Sequence, residues 1–191
     1  MHTLILHPTA VSQWQALVLE AEQACEINLD TELESYLVFL LMRFLRHQDI
    51  ADSILALEFL HSLDKHGQVR YNKLRDLGDK CLLFSGLFPE RALRRHVKIS
   101  YFIALGQTAY DNLAALAPPR ERDLFTSLAQ QFLTLMEVLQ GMRAFYQQQP
   151  VPVLSAVELW QDTGSDYVAR YSLSDLKKQR LFTVRGTKRL Q

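Results

Sequence analysis

The sequence predicts an all-α protein: a single-domain helical bundle of about six to eight helices around a central apolar helix, residues 31–46. Three observations lead there. Apolar residues recur at helical spacing through most of the chain. Glycine and proline are scarce, at seven and six in 191 residues. Hydrophobic residues make up 48% of the chain, which is long enough to bury a core without disulfide or metal staples. Residues 1–180 read as one helical domain and 181–191 as a basic C-terminal tail.

The first helix is expected from about Ala10 to Cys25, behind Pro8 and Thr9, with Trp14, Leu17, Val18 and Ala21 at helical spacing. The second runs from Thr31 to Arg46. Thr31 can cap it, and Glu34 stands three residues on, as a capping box requires. From Leu37 to Leu45 every face is apolar except at Arg43, so this helix belongs at the centre. A third runs from Asp49 to Leu63, with Gly67 as its stop. A fourth covers Val69 to Phe88, and Pro89 begins a short piece, "PERALRRH". The fifth covers Lys98 to Leu116 and closes at "APP". The sixth is the longest, from Arg120 to Gln147, and Pro119 can start it. After the linker "QQQPVPVLS", Ser155 and Glu158 make a second capping box, and a helix carrying Trp160 stops near Gly164.

Charge is balanced, 21 basic against 21 acidic residues, so no global field draws the chain to nucleic acid or to a membrane surface. The balance hides blocks. Residues 1–60 and 111–171 are acidic, whereas 61–110 and 172–191 are basic. They complement each other within the fold or across a homodimer, or else "RALRRH" (91–96) and the tail (177–189) form an anion-binding face. Cys25 and Cys81 fit no ligand spacing and read as buried, unbridged thiols in a reducing compartment. The opening "MHTLILHPTAVSQW" lacks the pattern of a signal peptide, and the longest apolar run, "LVFLLM", is far too short for a span. No membrane partner and a cytoplasmic location are expected.

Little in the sequence carries chemistry. Glu58 and His61 form one Glu-x-x-His, but a di-iron bundle needs two such pairs and further glutamates. No metal and no cofactor are therefore expected. Ser85 in "LFSGLF" lacks the G-x-S-x-G pattern of a nucleophile elbow. There is no phosphate-binding loop and no dinucleotide fingerprint. Arg75 with Asp79, and Asp76 with Lys80, stand four residues apart and read as surface pairs.

The glycines are the best clue. Gly78, Gly86 and Gly106 lie inside helices, where glycine costs roughly 1 kcal/mol against alanine. They are expected where the fourth and fifth helices cross closely, with Asp79 at the edge of the contact. A carboxylate buried there needs a donor. Tyr101 and Tyr110 are the candidate donors, with Arg75 one turn back. If the missing side chains instead leave room for a ligand, then Asp79, Tyr101, Tyr110 and His96 would line its site.

"LGDKCLLFSGLFPE" followed by "SYFIALGQTAYDNLA" resembles a family of uncharacterised, wholly helical bacterial proteins. The shared pattern is a Gly-Asp followed by Leu-Phe, then a Gly-x-Phe-Pro, then a tyrosine-rich segment with Gly and Ala-Tyr. "ESYLVFLLMRFL" and "ELWQDTGSDYVAR" extend the likeness over most of the chain. Phe102 stands where a second tyrosine is common. The resemblance implies an all-helical fold and points to Gly78, Asp79, Gly86, Tyr101, Gly106 and Tyr110, but it implies no reaction.

Three functions remain open on these grounds. The first is a non-enzymatic binding or interaction module with no catalytic residue assigned. The second is an enzyme or small-ligand carrier with a pocket between helices 69–88 and 98–116. The third is a binder of nucleic acid or an acidic partner through 91–96 and 177–189.

Overall fold

A computed structural model describes residues 9–46, 66–89, 97–146, 157 and 160–164. All the regular structure among them is helical. The expected helix at 49–63, the piece "PERALRRH" after Pro89, the Ser155–Glu158 capping box and the tail 181–191 lie outside the described residues.

Helix α1 is Ala10–Cys25. Thr9 caps it, its Oγ1 accepting the backbone N–H of Ser12 at 3.2 Å. The helix ends at Glu26, which takes a left-handed φ of 58°. The N–H of Ile27 then returns to the Glu22 carbonyl at 2.9 Å. The buried Glu22 side chain bridges onward, Oε1 accepting from the Leu29 N–H at 2.6 Å.

Helix α2 is Thr31–Arg46. Its cap is Asp30 rather than Thr31. Asp30 Oδ1 accepts from the N–H groups of Glu32 (3.0 Å) and Leu33 (2.9 Å). Thr31 is already the first helical residue, and a cap must stand just outside. Glu34 does not close a capping box; its Oε1 accepts from Gln15 Nε2 of α1 at 3.0 Å.

Helix α3 is Gly67–Gly86 and α4 is Ile99–Leu116. Gly67 does not follow a helix stop among the described residues; with φ +57° it opens α3. The expected sixth helix is two. Pro119–Gln130 is α5, with Pro119 in its first turn, and Phe132–Tyr146 is α6. Gln131 leaves helical geometry between them (φ −98°, ψ 18°). The break redirects one continuous apolar stripe. Ahead of it, α5 packs on α4 and α2; beyond it, α6 packs on α1 and α3.

The bundle buries residues from all six helices in one core. Among the described residues, α3 and α4 share the most extensive contact, and α2 packs on α1 and α5. Helix α2 sends Leu33, Tyr36, Leu37, Leu40 and Leu41 inward, but Phe39 is 58% exposed. The stretch buried on all sides is in α3, where from Leu77 to Gly86 only Lys80 escapes full burial.

Candidate functional site

Seven residues are just under two helical turns, so Tyr36 and Arg43 share one face of α2. Asp76 and Asp79, three apart, share one face of α3. The packing of α2, α3 and α4 brings these faces together with Tyr110. Asp79 Oδ1 accepts two phenolic hydrogen bonds, from Tyr36 Oη at 2.6 Å and from Tyr110 Oη at 2.8 Å. Its Oδ2 accepts from the Arg43 guanidinium at 3.1 Å. The other guanidinium nitrogen of Arg43 contacts Asp76 Oδ1. Arg75 lies over the Tyr36 ring, 5.6 Å from its centroid, a cation–π arrangement.

Asp79 is buried within this cluster. Burial pushes its carboxyl above the ordinary carboxylate value, while the two phenols and the charges of Arg75 and Arg43 pull it back. The phenols of Tyr36 and Tyr110 are pushed far above theirs, by burial first and by the Asp79 charge second. Around them the rings pack edge-on: Tyr36 meets Tyr110 at 6.4 Å and Phe125 at 6.5 Å. Tyr71 also meets Phe125, at 5.9 Å, and donates its hydroxyl to Glu121.

Of the residues singled out from the sequence, Asp79 and Tyr110 meet and Tyr101 does not join them. Nine residues separate the two tyrosines, two and a half turns, so they stand on opposite sides of α4. Tyr101 is 42% exposed and packs on Phe102 instead. His96 and the segments 91–96 and 177–189 lie outside the described residues. Arg75 and Asp79 are not a surface pair, because Asp79 is interior. Asp76 has Arg43 as its partner. Arg43 and Tyr36 were missed as site residues; the one charge in the apolar run from Leu37 to Leu45 was the signal for Arg43.

The glycines do permit close approach, but not all at one crossing. A Cβ on Gly78 would lie 2.6 Å from the Tyr110 ring. A Cβ on Gly106 would lie 2.4 Å from Phe132 of α6 and 2.9 Å from Cys81 Cβ of α3. Gly86 faces α6 rather than α4: its Cβ would meet Leu139 Cβ at 2.5 Å. Side chains thus fill the room these glycines leave. Ser85 Oγ, buried beside them, donates back to the carbonyls of Cys81 and Leu82. The Ser85 carbonyl, in the last turn of α3, accepts from Gln140 Nε2 of α6 at 3.1 Å.

An open space lies elsewhere. A cavity of about 330 Å³ is bounded by Trp14 and Leu17 of α1, Leu41 of α2, and Met142 and Arg143 of α6. Leu87 and Phe88, just past α3, also line it. Buried Leu41 and Met142 form its floor, and the half-buried residues around them leave it open to solvent. Phe88 is backed by the Phe44 ring at 5.4 Å.

Among the described residues, no group of three His, Cys, Asp or Glu side chains could hold a metal ion, and no helix is long and apolar enough to cross a membrane. Comparison of the chain with protein-family models, with curated proteins and with solved structures returned no match.

Proposed function

We propose that this protein is a non-enzymatic binding module that takes a small apolar molecule into the cavity between α1, α2 and α6. The observation that carries the reading is the cavity itself: concave, open on one side, and walled by an indole, a phenyl ring and aliphatic side chains. Ligand sites are typically such hollows with few polar groups, and 330 Å³ lies at the small end of their range. The Asp79 cluster serves as the polar core that joins α2, α3 and α4. Each of its carboxylate oxygens already has a donor, and Tyr110, Phe132 and Leu139 fill the room beside the glycines. A reaction centre needs a group facing a substrate, which this arrangement does not offer. Two buried thiols, Cys25 and Cys81, accord with work in a reducing, cytoplasmic compartment.

The test uses Trp14 as the reporter. In the full chain carrying Trp160→Phe, Trp14 is the one tryptophan left. Titration with 1-decanol, a neutral probe, should shift its emission saturably. An emission that drifts linearly with added decanol, without saturation, would remove the reading.

A further inference from the structure

The lining of the cavity points to one kind of occupant. Six of its seven described residues carry hydrocarbon, thioether or aromatic side chains, and none carries a carboxylate, amide, hydroxyl or imidazole. The seventh, Arg143, already has a partner. Resting on the binding reading above, we infer that the ligand is a neutral aromatic hydrocarbon of about ten carbons, its ring set against Trp14 and Phe88 and its alkyl substituents over Leu41 and Met142.

Size, polarity and shape each support this. An apolar cavity of about 150 Å³ holds one benzene ring. This one, at about 330 Å³, takes a ring with several further carbons. Leu41 and Met142 are 1% and 3% exposed, so a polar group placed on the floor would lose its water and find no hydrogen bond there. A ligand carboxylate could reach the Arg143 guanidinium only by displacing the partner Arg143 already has, so a charged ligand gains nothing to offset its desolvation. Two of the walls are rings. Aromatic pairs attract each other beyond the area they bury, and a thioether such as that of Met142 adds a favourable contact with a ring. The Phe44 ring, 5.4 Å from that of Phe88, holds Phe88 in place, so little side-chain freedom is lost when a ligand settles on it. A rigid ring also loses less freedom on entry than an unbranched chain of equal carbon number.

The experiment compares three probes on one carbon skeleton with the full-length protein. p-Cymene has an aromatic ring, p-menthane is the same skeleton saturated, and 4-isopropylbenzoate replaces the p-cymene methyl with a carboxylate. Binding of the two volatile hydrocarbons is read as their loss from the vapour above a sealed protein solution, by gas chromatography. Each affinity is divided by the compound's own transfer from water into hexadecane, which removes their difference in hydrophobicity. On that scale p-cymene should bind about threefold to tenfold tighter than p-menthane. Trp14→Leu and Phe88→Leu should each lower that ratio by about two- to threefold while p-menthane stays bound. A purely structural role for either ring would weaken both hydrocarbons alike and leave the ratio unchanged. 4-Isopropylbenzoate at equal concentration should return no p-cymene to the vapour. Equal binding of the two hydrocarbons, a ratio unchanged in both variants, or displacement of p-cymene by the carboxylate would overturn this inference and leave the apolar cavity standing. Failure of both hydrocarbons to bind saturably would overturn the inference together with the reading it rests on.

Discussion

Tyr110 occupies the space that a side chain at position 78 would need. Its ring carbons stand 2.6–2.9 Å from where that Cβ would be, and its hydroxyl is fixed on Asp79, the next residue along α3. One tyrosine of α4 thus packs against the glycine and satisfies the carboxylate beside it.

The glycines can be tested one at a time. Alanine at 78, 86 or 106 gains helix propensity, by up to about 1 kcal/mol. Each new methyl also meets a buried neighbour at under 3 Å. At 86 and 106 the neighbours include Cβ atoms, which move only with their backbones. Overpacking of this kind costs about 1–3 kcal/mol, so all three variants should be less stable in chemical denaturation. A more stable Gly106→Ala protein would rule out close packing at that site.

Asp79 should be the most sensitive polar position. Asp79→Asn keeps the shape but removes the charge that Arg43 faces, and should lower stability by about 2–3 kcal/mol. Tyr36→Phe and Tyr110→Phe each remove one hydrogen bond to a charged group and should lower it by about 1.5–3 kcal/mol. Both phenols donate to the same oxygen, so the double variant should not show the sum of the two. Strict additivity in a double-mutant cycle would mean that the shared oxygen does not couple them.

Alkaline pH should loosen the bundle. Burial and the Asp79 charge raise the phenols of Tyr36 and Tyr110 well above 10, and burial with Glu121 raises Tyr71 to about 12. The folded protein therefore holds protons that the unfolded chain releases near pH 10. The stability these groups contribute is complete below about pH 10 and is lost as pH rises through their folded values. Stability followed by denaturant titration should fall steadily above pH 10, and less steeply in Tyr36→Phe. Phenolate absorbance from all tyrosines rising at ordinary pH in a still-folded protein would contradict this.

The start of α2 separates two caps. Asp30→Ala should cost about 1 kcal/mol, because two N–H groups lose their acceptor. Thr31→Ala should change little. A larger effect at Thr31 would restore it as the cap.

Helix positions were legible because local chemistry marks them. Thr9 caps α1, Pro119 starts α5, and the apolar spacing between them is regular. Asp79 with Tyr110 was half legible: the glycine announced a close neighbour but not which tyrosine face would supply it. Tyr36 was hidden, since a tyrosine inside an apolar run reads as packing. Its link to Asp79 spans 43 residues, which no local period encodes. The break at Gln131 was hidden for the opposite reason. Neither proline nor glycine marks it, and the stripe through Leu128, Phe132 and Leu135 is continuous in sequence though its first half packs mainly on α4 and its second mainly on α1 and α3.

The shared oxygen of Asp79 has a consequence for how the sequence can drift. Enlarging residue 78 requires a smaller residue at 110; losing the Tyr110 hydroxyl leaves Asp79 with one phenol fewer; losing Asp79 strands the Tyr36 and Tyr110 hydroxyls and leaves Arg43 with Asp76. No single substitution among these positions is neutral, whereas a joint replacement by apolar residues of matching volume can be. In any set of relatives, positions 36, 43, 78, 79 and 110 are expected to persist together or to be exchanged together, as one inherited unit spread over three helices.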